Sequence, residues 1–140
     1  MAVSYPPGIR FLCNRCTICC RNTTTRVRRI LLLEQEVLEI SEVTSRAIST
    51  FAEPSREDSR FPYEMKKIKG RCSFLVGDSC TIYEYRPLIC RFYPFSLRRF
   101  GGVYYFHPTK ECPAIGDGEE LEKGFFENLL RLALKKFGEL

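Results

Sequence analysis

The sequence Cys13-Asn14-Arg15-Cys16-Thr17-Ile18-Cys19-Cys20 places four thiols within eight residues. Gaps of two residues let a tight turn aim the sulfurs of Cys13, Cys16 and Cys19 into one pocket, as iron–sulfur and zinc sites both require. Neighbouring side chains diverge from the backbone, so Cys20 is expected to bind a different metal from Cys19, or a different atom of one cluster. This stretch predicts a metal centre around which the rest of the chain is organised.

The remaining cysteines follow with the spacing Cys72-x7-Cys80-x9-Cys90-x21-Cys112. The chain has 140 residues, eight cysteines and a single histidine, so sulfur rather than imidazole must carry any metal chemistry. His107 is interpreted as structural, with a ninth ligand as the alternative. All eight cysteines are therefore predicted metal ligands: Cys13, Cys16, Cys19, Cys20, Cys72, Cys80, Cys90 and Cys112.

Length and composition predict one globular domain over residues 1–140, since 44% of the residues are hydrophobic and 28% are charged. The first residues show no basic segment leading into an apolar run, which argues against a secretory signal. No window approaches the roughly 18 uninterrupted apolar residues of a spanning helix. We therefore expect a cytoplasmic protein without a membrane partner, in which thiols stay reduced and disulfides are the weaker interpretation.

The formal net charge of +5 gives little information about partners, because metal-bound thiolates would lower it. Basic residues on two segments are interpreted as solvated strand faces, with single-stranded nucleic acid binding as the less favoured alternative. These residues are Arg26, Arg28, Arg29, Lys66, Lys67, Lys69 and Arg71.

The first half of the chain predicts a strand over Arg26–Leu33, followed by a helix that buries Leu33, Val37 and Ile40. A second short helix is predicted from Thr44, burying Ala47, Ile48 and Phe51 until Pro54 ends it. A polar surface loop is predicted from Glu53 to Arg60.

The second half predicts hairpin turns at Gly70-Arg71 and Gly101-Gly102, and a turn at Gly77-Asp78-Ser79 that delivers Cys80. Asp117 and Glu120 resemble a capping box that starts a final helix, with Gly138 as its stop. The predicted buried face of that helix is Leu121, Phe125, Leu129, Leu132 and Phe137. The fold class is therefore predicted as α+β, a small single domain of helices and short β-hairpins around a cysteine-ligated metal centre.

Zinc and iron–sulfur sites both accept four thiolates, so the choice of metal depends on spacing. Zinc ribbons bring their ligands in two C-x2-C pairs, whereas a C-x2-C-x2-C run with a remote fourth cysteine is typical of one ferredoxin half-site. Cys112-Pro113 matches the end of that pattern. An iron–sulfur cluster, such as a 4Fe-4S cluster, is therefore favoured over zinc.

The chain also resembles a known family. Besides the first cysteine run, the resemblance lies in Cys80-Thr81-Ile82-Tyr83, in the segment Arg86–Phe95 and in Cys112-Pro113. Together these motifs resemble the YkgJ-type cysteine-cluster family, described as a zinc- or iron-chelating CxxCxxCC domain. The resemblance implies metal chelation, often as an iron–sulfur oxidoreductase. It also brings methyl transfer as a remote alternative, but no substrate and no catalytic residue.

Three functions remain open. The first is an iron–sulfur protein that transfers electrons or supports an oxidoreductase or modification partner; the others are a zinc-structured interaction module and a metal buffer or carrier. Arg86 and Arg91 are predicted to offset thiolate charge and donate hydrogen bonds to sulfur, which would tune a cluster's redox potential.

Overall fold

The computed structural model describes residues 2–56 and 60–138. Within these residues the chain combines helices with short strands, which confirms the α+β prediction. The α-helices are α1 (Glu34–Thr44), α2 (Leu88–Phe92) and α3 (Lys123–Phe137). Short 3-10 turns span Ile18–Cys20, Ile48–Thr50 and Tyr83–Tyr85. The strands are β1 (Ala2–Ser4), β2 (Arg10–Phe11), β3 (Leu31–Leu32), β4 (Ala52–Pro54), β5 (Tyr63–Met65), β6 (Lys67–Ile68), β7 (Arg71–Cys72), β8 (Leu75–Val76), β9 (Ser79–Cys80), β10 (Phe95–Phe100), β11 (Val103–Pro108) and β12 (Ile115–Glu120).

The chain divides into two compact units. The central unit is Thr17–Cys90, and the terminal unit combines Met1–Cys16 with Arg91–Leu140. A single domain over residues 1–140 stays a prediction. No helix in the described part of the chain is both long and apolar enough to cross a membrane.

The central unit packs α1 and a three-stranded antiparallel sheet of order β3-β5-β4 around one hydrophobic core. Two small antiparallel hairpins, β6-β7 and β8-β9, follow the sheet and confirm that turns precede Cys72 and Cys80. Arg71 and Ser79, predicted in these turns, belong to β7 and β9 instead. Cys72 is itself a core residue, and Cys20, Cys80 and Cys90 pack against this core. The core thus positions four thiols directly. Its buried members are Ile30, Leu32, Val37, Ile40, Phe51, Ala52, Met65, Cys72, Phe74 and Ile82.

Glu36 links the start of α1 to the start of α2 within the central unit. It is 5% exposed and is the buried charged side chain among the described residues. One carboxylate oxygen accepts the Leu33 N–H at 3.0 Å and the other accepts the Leu88 N–H at 2.6 Å. Because the first N–H groups of a helix lack internal acceptors, this carboxylate satisfies both helix starts. It therefore holds the helix that carries Cys90.

The terminal unit contains a three-stranded sheet of order β1-β11-β10. β10 and β11 form the hairpin predicted at Gly101-Gly102, where both glycines have positive φ angles of 58° and 77°, and β1 runs parallel to β11. Aromatic rings fill the space beneath this sheet. The Phe126 ring of α3 lies 4.5 Å from that of Tyr5, 5.2 Å from Phe95 and 5.0 Å from Phe106.

The predicted start of the final helix is wrong. Asp117 and Glu120 lie in β12, which pairs with β2, and α3 begins at Lys123 with Glu122 before it. Gly118, at φ +79°, brings this strand so close to β2 that an added Cβ would lie 2.7 Å from the Leu12 Cβ. Strand pairing therefore overrides the capping pattern. Gly138 follows the helix as predicted.

The predicted buried face of that helix is also wrong. The fully buried residues of α3 are Phe126, Leu130 and Ala133, spaced i, i+4 and i+7. The predicted residues flank this stripe and are half-buried. The ring stacking of Phe126 decides which face points inward.

Two predictions for the central unit also need correction. The strand predicted over Arg26–Leu33 is limited to Leu31–Leu32, and the second short helix is limited to the turn Ile48–Thr50. α1 ends at Thr44, and Ser45 follows it with φ +56°. Ala47 is exposed, whereas Phe51 is buried as predicted. Of the loop predicted from Glu53 to Arg60, residues 57–59 lie outside the described residues, and its first residues belong to β4.

Candidate metal centre

The central unit brings five thiols together from four separate elements. Cys19 and Cys20 lie on the first 3-10 turn, Cys72 on β7, Cys80 at the end of β9 and Cys90 in α2. The charge of Cys19 interacts with each of the other four thiols. We call these residues the five-thiol group: Cys19, Cys20, Cys72, Cys80 and Cys90.

The sulfurs of Cys19 and Cys20 lie 3.6 Å apart. The expectation that these neighbouring side chains diverge is therefore wrong. Two thiolates bound to one tetrahedral zinc at about 2.3 Å each are about 3.8 Å apart. The pair already has the separation of two ligands on one metal ion.

The same contact shifts the pKa values of the two thiols in opposite directions. The hydrogen bond from Cys20 and the charges of Arg28 and Arg26 lower the pKa of Cys19 to about 6, although burial acts in the opposite direction. That hydrogen bond and burial both raise the pKa of Cys20. Burial also raises the pKa of Cys72, Cys80 and Cys90. The metal-free group therefore holds one thiolate among neutral thiols near neutral pH.

Backbone N–H groups point at several of the sulfurs. Cys72 accepts hydrogen bonds from the N–H groups of Phe74 and Leu75, and Cys80 accepts one from Ile82. Donors two and three residues after a cysteine stabilise the charged thiolate and lower its pKa. Hydrogen bonds of this kind tune metal-bound sulfur. The turns after Cys72 and Cys80 are thus shaped for thiolate ligands.

Arg26 and Arg28 hold the turn that carries Cys19 and Cys20. Arg26 donates to the Ile18 carbonyl and Arg28 donates to the Cys19 carbonyl, each at 2.8 Å. Both arginines are half-buried, so their assignment to a solvated strand face is wrong. The charge of Arg28 acts on Cys90 as well as on Cys19. The alternation of the two arginines, just after a cysteine run, is the signal that could have identified them.

The two arginines that sequence reasoning selected have different surroundings. Arg86 donates to the Tyr83 carbonyl at 3.0 Å, lies over the Tyr83 ring at 3.8 Å, and its charge acts on Cys80. Arg91 lies in the last turn of α2, in the terminal unit. The role of both in tuning a cluster stays a prediction.

The terminal unit holds the other three cysteines, which we call the three-thiol group: Cys13, Cys16 and Cys112. Cys112 interacts electrostatically with Cys16 and Cys13, and burial raises its pKa. Its sulfur accepts N–H groups from Ala114 and Ile115, and the Cys13 sulfur accepts the Arg15 N–H at 3.4 Å. Cys13 is exposed, whereas Cys112 is buried. Here too, backbone donors surround the sulfurs.

His107 lies on β11, where its ring stacks on that of Tyr105 with centroids 6.4 Å apart, and its structural interpretation stays a prediction. Within residues 2–56 and 60–138, no three cysteine, histidine, aspartate or glutamate side chains already form a ligand set for a metal ion. The donor chemistry fits a thiophilic metal, and a bound metal would have to draw the sulfurs closer together.

Comparisons with known proteins agree with this donor set. A family model described as "CxxCxxCC: Putative zinc- or iron-chelating domain" matches residues 12–113, a span that includes all eight cysteines. An uncharacterised protein of Methanocaldococcus jannaschii is 29% identical over 143 residues, covering 96% of this chain and 74% of that protein. No solved structure matches the chain.

Proposed function

Because the chain belongs to the CxxCxxCC family of zinc- or iron-chelating domains, we propose that it binds an iron–sulfur cluster through cysteine thiolates and exchanges electrons with a protein partner. The observation that carries this proposal is the five-thiol group, in which the charge of Cys19 acts on four other thiols. Four thiolates are the ligand set of a 4Fe-4S cluster, so this group offers enough sulfur by itself. Bound there, a cluster would supply one-electron redox chemistry.

The chain's own residues supply what such a ligand set needs. Arg26, Arg28 and Arg86 place positive charge near Cys19, Cys80 and Cys90, which offsets the negative charge of several thiolates. Backbone N–H groups add hydrogen bonds to Cys72 and Cys80. Core packing around Cys72 limits the access of water to the site. Charge, hydrogen bonding and solvent access are the protein's means of setting a cluster's potential.

Zinc is the second candidate, and one distance favours it. The 3.6 Å between the Cys19 and Cys20 sulfurs suits two ligands of one tetrahedral ion. In a four-iron cluster each iron takes one cysteine, so only one of this pair would be needed. A zinc-structured interaction module would use the pair together. A metal buffer or carrier, the third candidate, is favoured by the exposure of Cys13.

Anaerobic purification without a metal-affinity resin tests the proposal. We expect brown protein whose visible spectrum accompanies matching amounts of iron and acid-labile sulfide. Colourless protein with stoichiometric zinc would replace the cluster by the second candidate. Metal-free protein with oxidised thiols would contradict both and revive the disulfide interpretation.

Metal binding is expected to release about three protons near pH 7.5 when four of the five thiols become ligands, Cys19 among them. Cys19, with a pKa of about 6, is already a thiolate, whereas the raised pKa values of the others keep them protonated. Affinity should therefore rise about a thousandfold per pH unit, since each released proton contributes about tenfold. Calorimetric titration with the first equivalent of zinc, in buffers of different ionisation enthalpy, measures the proton count.

Whereas metal affinity should rise with pH, the free energy of unfolding of the metal-free chain should fall. Its buried thiols resist ionisation, so their contribution to the free energy of unfolding is intact below the unfolded thiol pKa of about 8.5 and is lost as the pH rises above it.

A release of about four protons on zinc binding would contradict the thiolate assigned to Cys19.

A further inference from the structure

We propose that the eight cysteines form two separate metal centres: one drawn from the five-thiol group, and a second made by the three-thiol group with one exchangeable ligand from solvent or a partner molecule. The second centre would take a divalent thiophilic cation such as zinc or ferrous iron. This inference rests on the proposed function, because it assumes that thiolates of this chain bind metal.

The thiols fall into two groups by their electrostatic interactions and by the compact unit in which they lie. The sulfurs that act on Cys20, Cys72, Cys80 and Cys90 all belong to the five-thiol group. The sulfurs that act on Cys112 are those of Cys16 and Cys13. The boundary between the units falls between Cys16 and Thr17, inside the run that the sequence presents as one pocket. Thr17 has a φ angle of +66°, so the backbone turns sharply at this point.

The number of thiols also favours two centres. A four-coordinate metal is satisfied by four thiolates, and the five-thiol group already has one sulfur more than that. Cys13, Cys16 and Cys112 are therefore not needed to complete the first centre. Three protein ligands with an open fourth position are the arrangement of a site that exchanges its remaining ligand.

Backbone N–H groups near the three-thiol group favour negative charge on its sulfurs. Cys112 accepts N–H groups from the second and third residues after it, as Cys72 does in the other unit. The Cys13 sulfur accepts the Arg15 N–H at 3.4 Å. Hydrogen bonds from such donors stabilise the negative charge of a metal-bound thiolate.

The thiols of the two groups differ in solvent exposure, and the two centres should therefore differ in how readily they exchange metal. Cys72 is 6% exposed within the core of the central unit, and three other thiols of its group pack on that core. Cys13, in contrast, is exposed. A ligand exchanging at the second centre can therefore reach its metal from solvent, so this centre should lose metal to a chelator before the first.

Cobalt(II) titration of the metal-free full-length chain under anaerobic conditions tests the proposal. Thiolate-to-cobalt absorption should saturate at about two equivalents in the natural chain. Cys112→Ser leaves two thiols in the three-thiol group and should lower this value to about one equivalent, whereas Cys80→Ser leaves four thiols in the five-thiol group and should keep about two equivalents. The two single variants serve as matched controls for each other, because each alters one group only.

Cysteine alkylation read by mass spectrometry identifies the centre that survives in each variant. With cobalt bound, Cys112→Ser should leave Cys13 and Cys16 reactive while Cys72 and Cys90 stay protected. Cys80→Ser should keep Cys13 and Cys16 protected, because it leaves the three-thiol group intact. Circular dichroism of each variant confirms that the chain remains folded.

Two outcomes would overturn the proposal. Saturation at about one equivalent that either substitution abolishes would mean one centre shared by both groups. About one equivalent that Cys112→Ser leaves untouched, with Cys13 and Cys16 always reactive, would remove the second centre. A chain that binds no cobalt and protects no cysteine would instead contradict the proposed function itself.

Discussion

Cys80→Ser is expected to remove the cluster of the five-thiol group and to forfeit most of the stability that bound metal provides, because a four-iron cluster takes one thiol of the Cys19/Cys20 pair and needs each of the other three thiols. Cys80 lies at the end of β9 and is half-buried, so a hydroxyl is tolerated there in the metal-free chain. A metal present at a thousand times its dissociation constant stabilises the fold by about 4 kcal/mol, and the variant should lose about that much. Urea unfolding with and without bound metal measures the difference.

Ser79→Ala is the matched control for Cys80→Ser. Ser79 is the preceding residue of the same strand, is exposed, and donates only to the neighbouring Asp78 at 3.3 Å. This control should keep its metal and change the free energy of unfolding by less than about 0.5 kcal/mol. Equal stability of Cys80→Ser and the natural chain in their metal-loaded forms would mean that Cys80 is not a ligand.

Glu36→Gln is expected to destabilise even the metal-free chain by about 3 kcal/mol, because hydrogen bonds to a buried charged group contribute about 1.5–3 kcal/mol each. The carboxylate accepts two N–H groups, one from Leu33 and one from Leu88. An amide offers one oxygen, and its NH2 group would face the other backbone donor. Since Leu88 starts the helix that carries Cys90, metal affinity should fall as well.

Urea denaturation of the metal-free chain tests this substitution against Glu39→Gln. Glu39 lies on the same helix but is exposed, so its substitution should change the free energy of unfolding by less than about 0.5 kcal/mol. Similar midpoints for the two variants would show that Glu36 does not hold the two helix starts.

Local patterns were the most predictable part of this fold. α1 and the hairpin at Gly101-Gly102 occur where the residue spacing indicates, and the turn predicted at Gly70-Arg71 lies one residue earlier. A glycine with positive φ or an apolar stripe acts within a few residues, which makes such features predictable. The start of α3 was wrong for a nonlocal reason. Asp117 and Glu120 satisfy a local capping pattern, but strand pairing with β2, more than one hundred residues earlier, places them in a strand.

The candidate site was likewise predictable in its local features and not in its long-range ones. Sequence alone predicted sulfur as the donor type, because the chain has eight cysteines beside a single histidine. It also indicated turns near Cys72 and Cys80. These are properties of composition and of short stretches of chain.

Only the tertiary structure decided which thiols share a group, which arginines face them, and what supports Cys90. Cys19 acts on Cys90 across 71 residues of sequence, and Glu36 reaches Leu88 across 52. Such pairings depend on how the whole core packs, and no short pattern encodes them. The physical reason is that a turn is set by the dihedral preferences of its own residues, whereas a metal centre is set by where distant backbone segments come to lie.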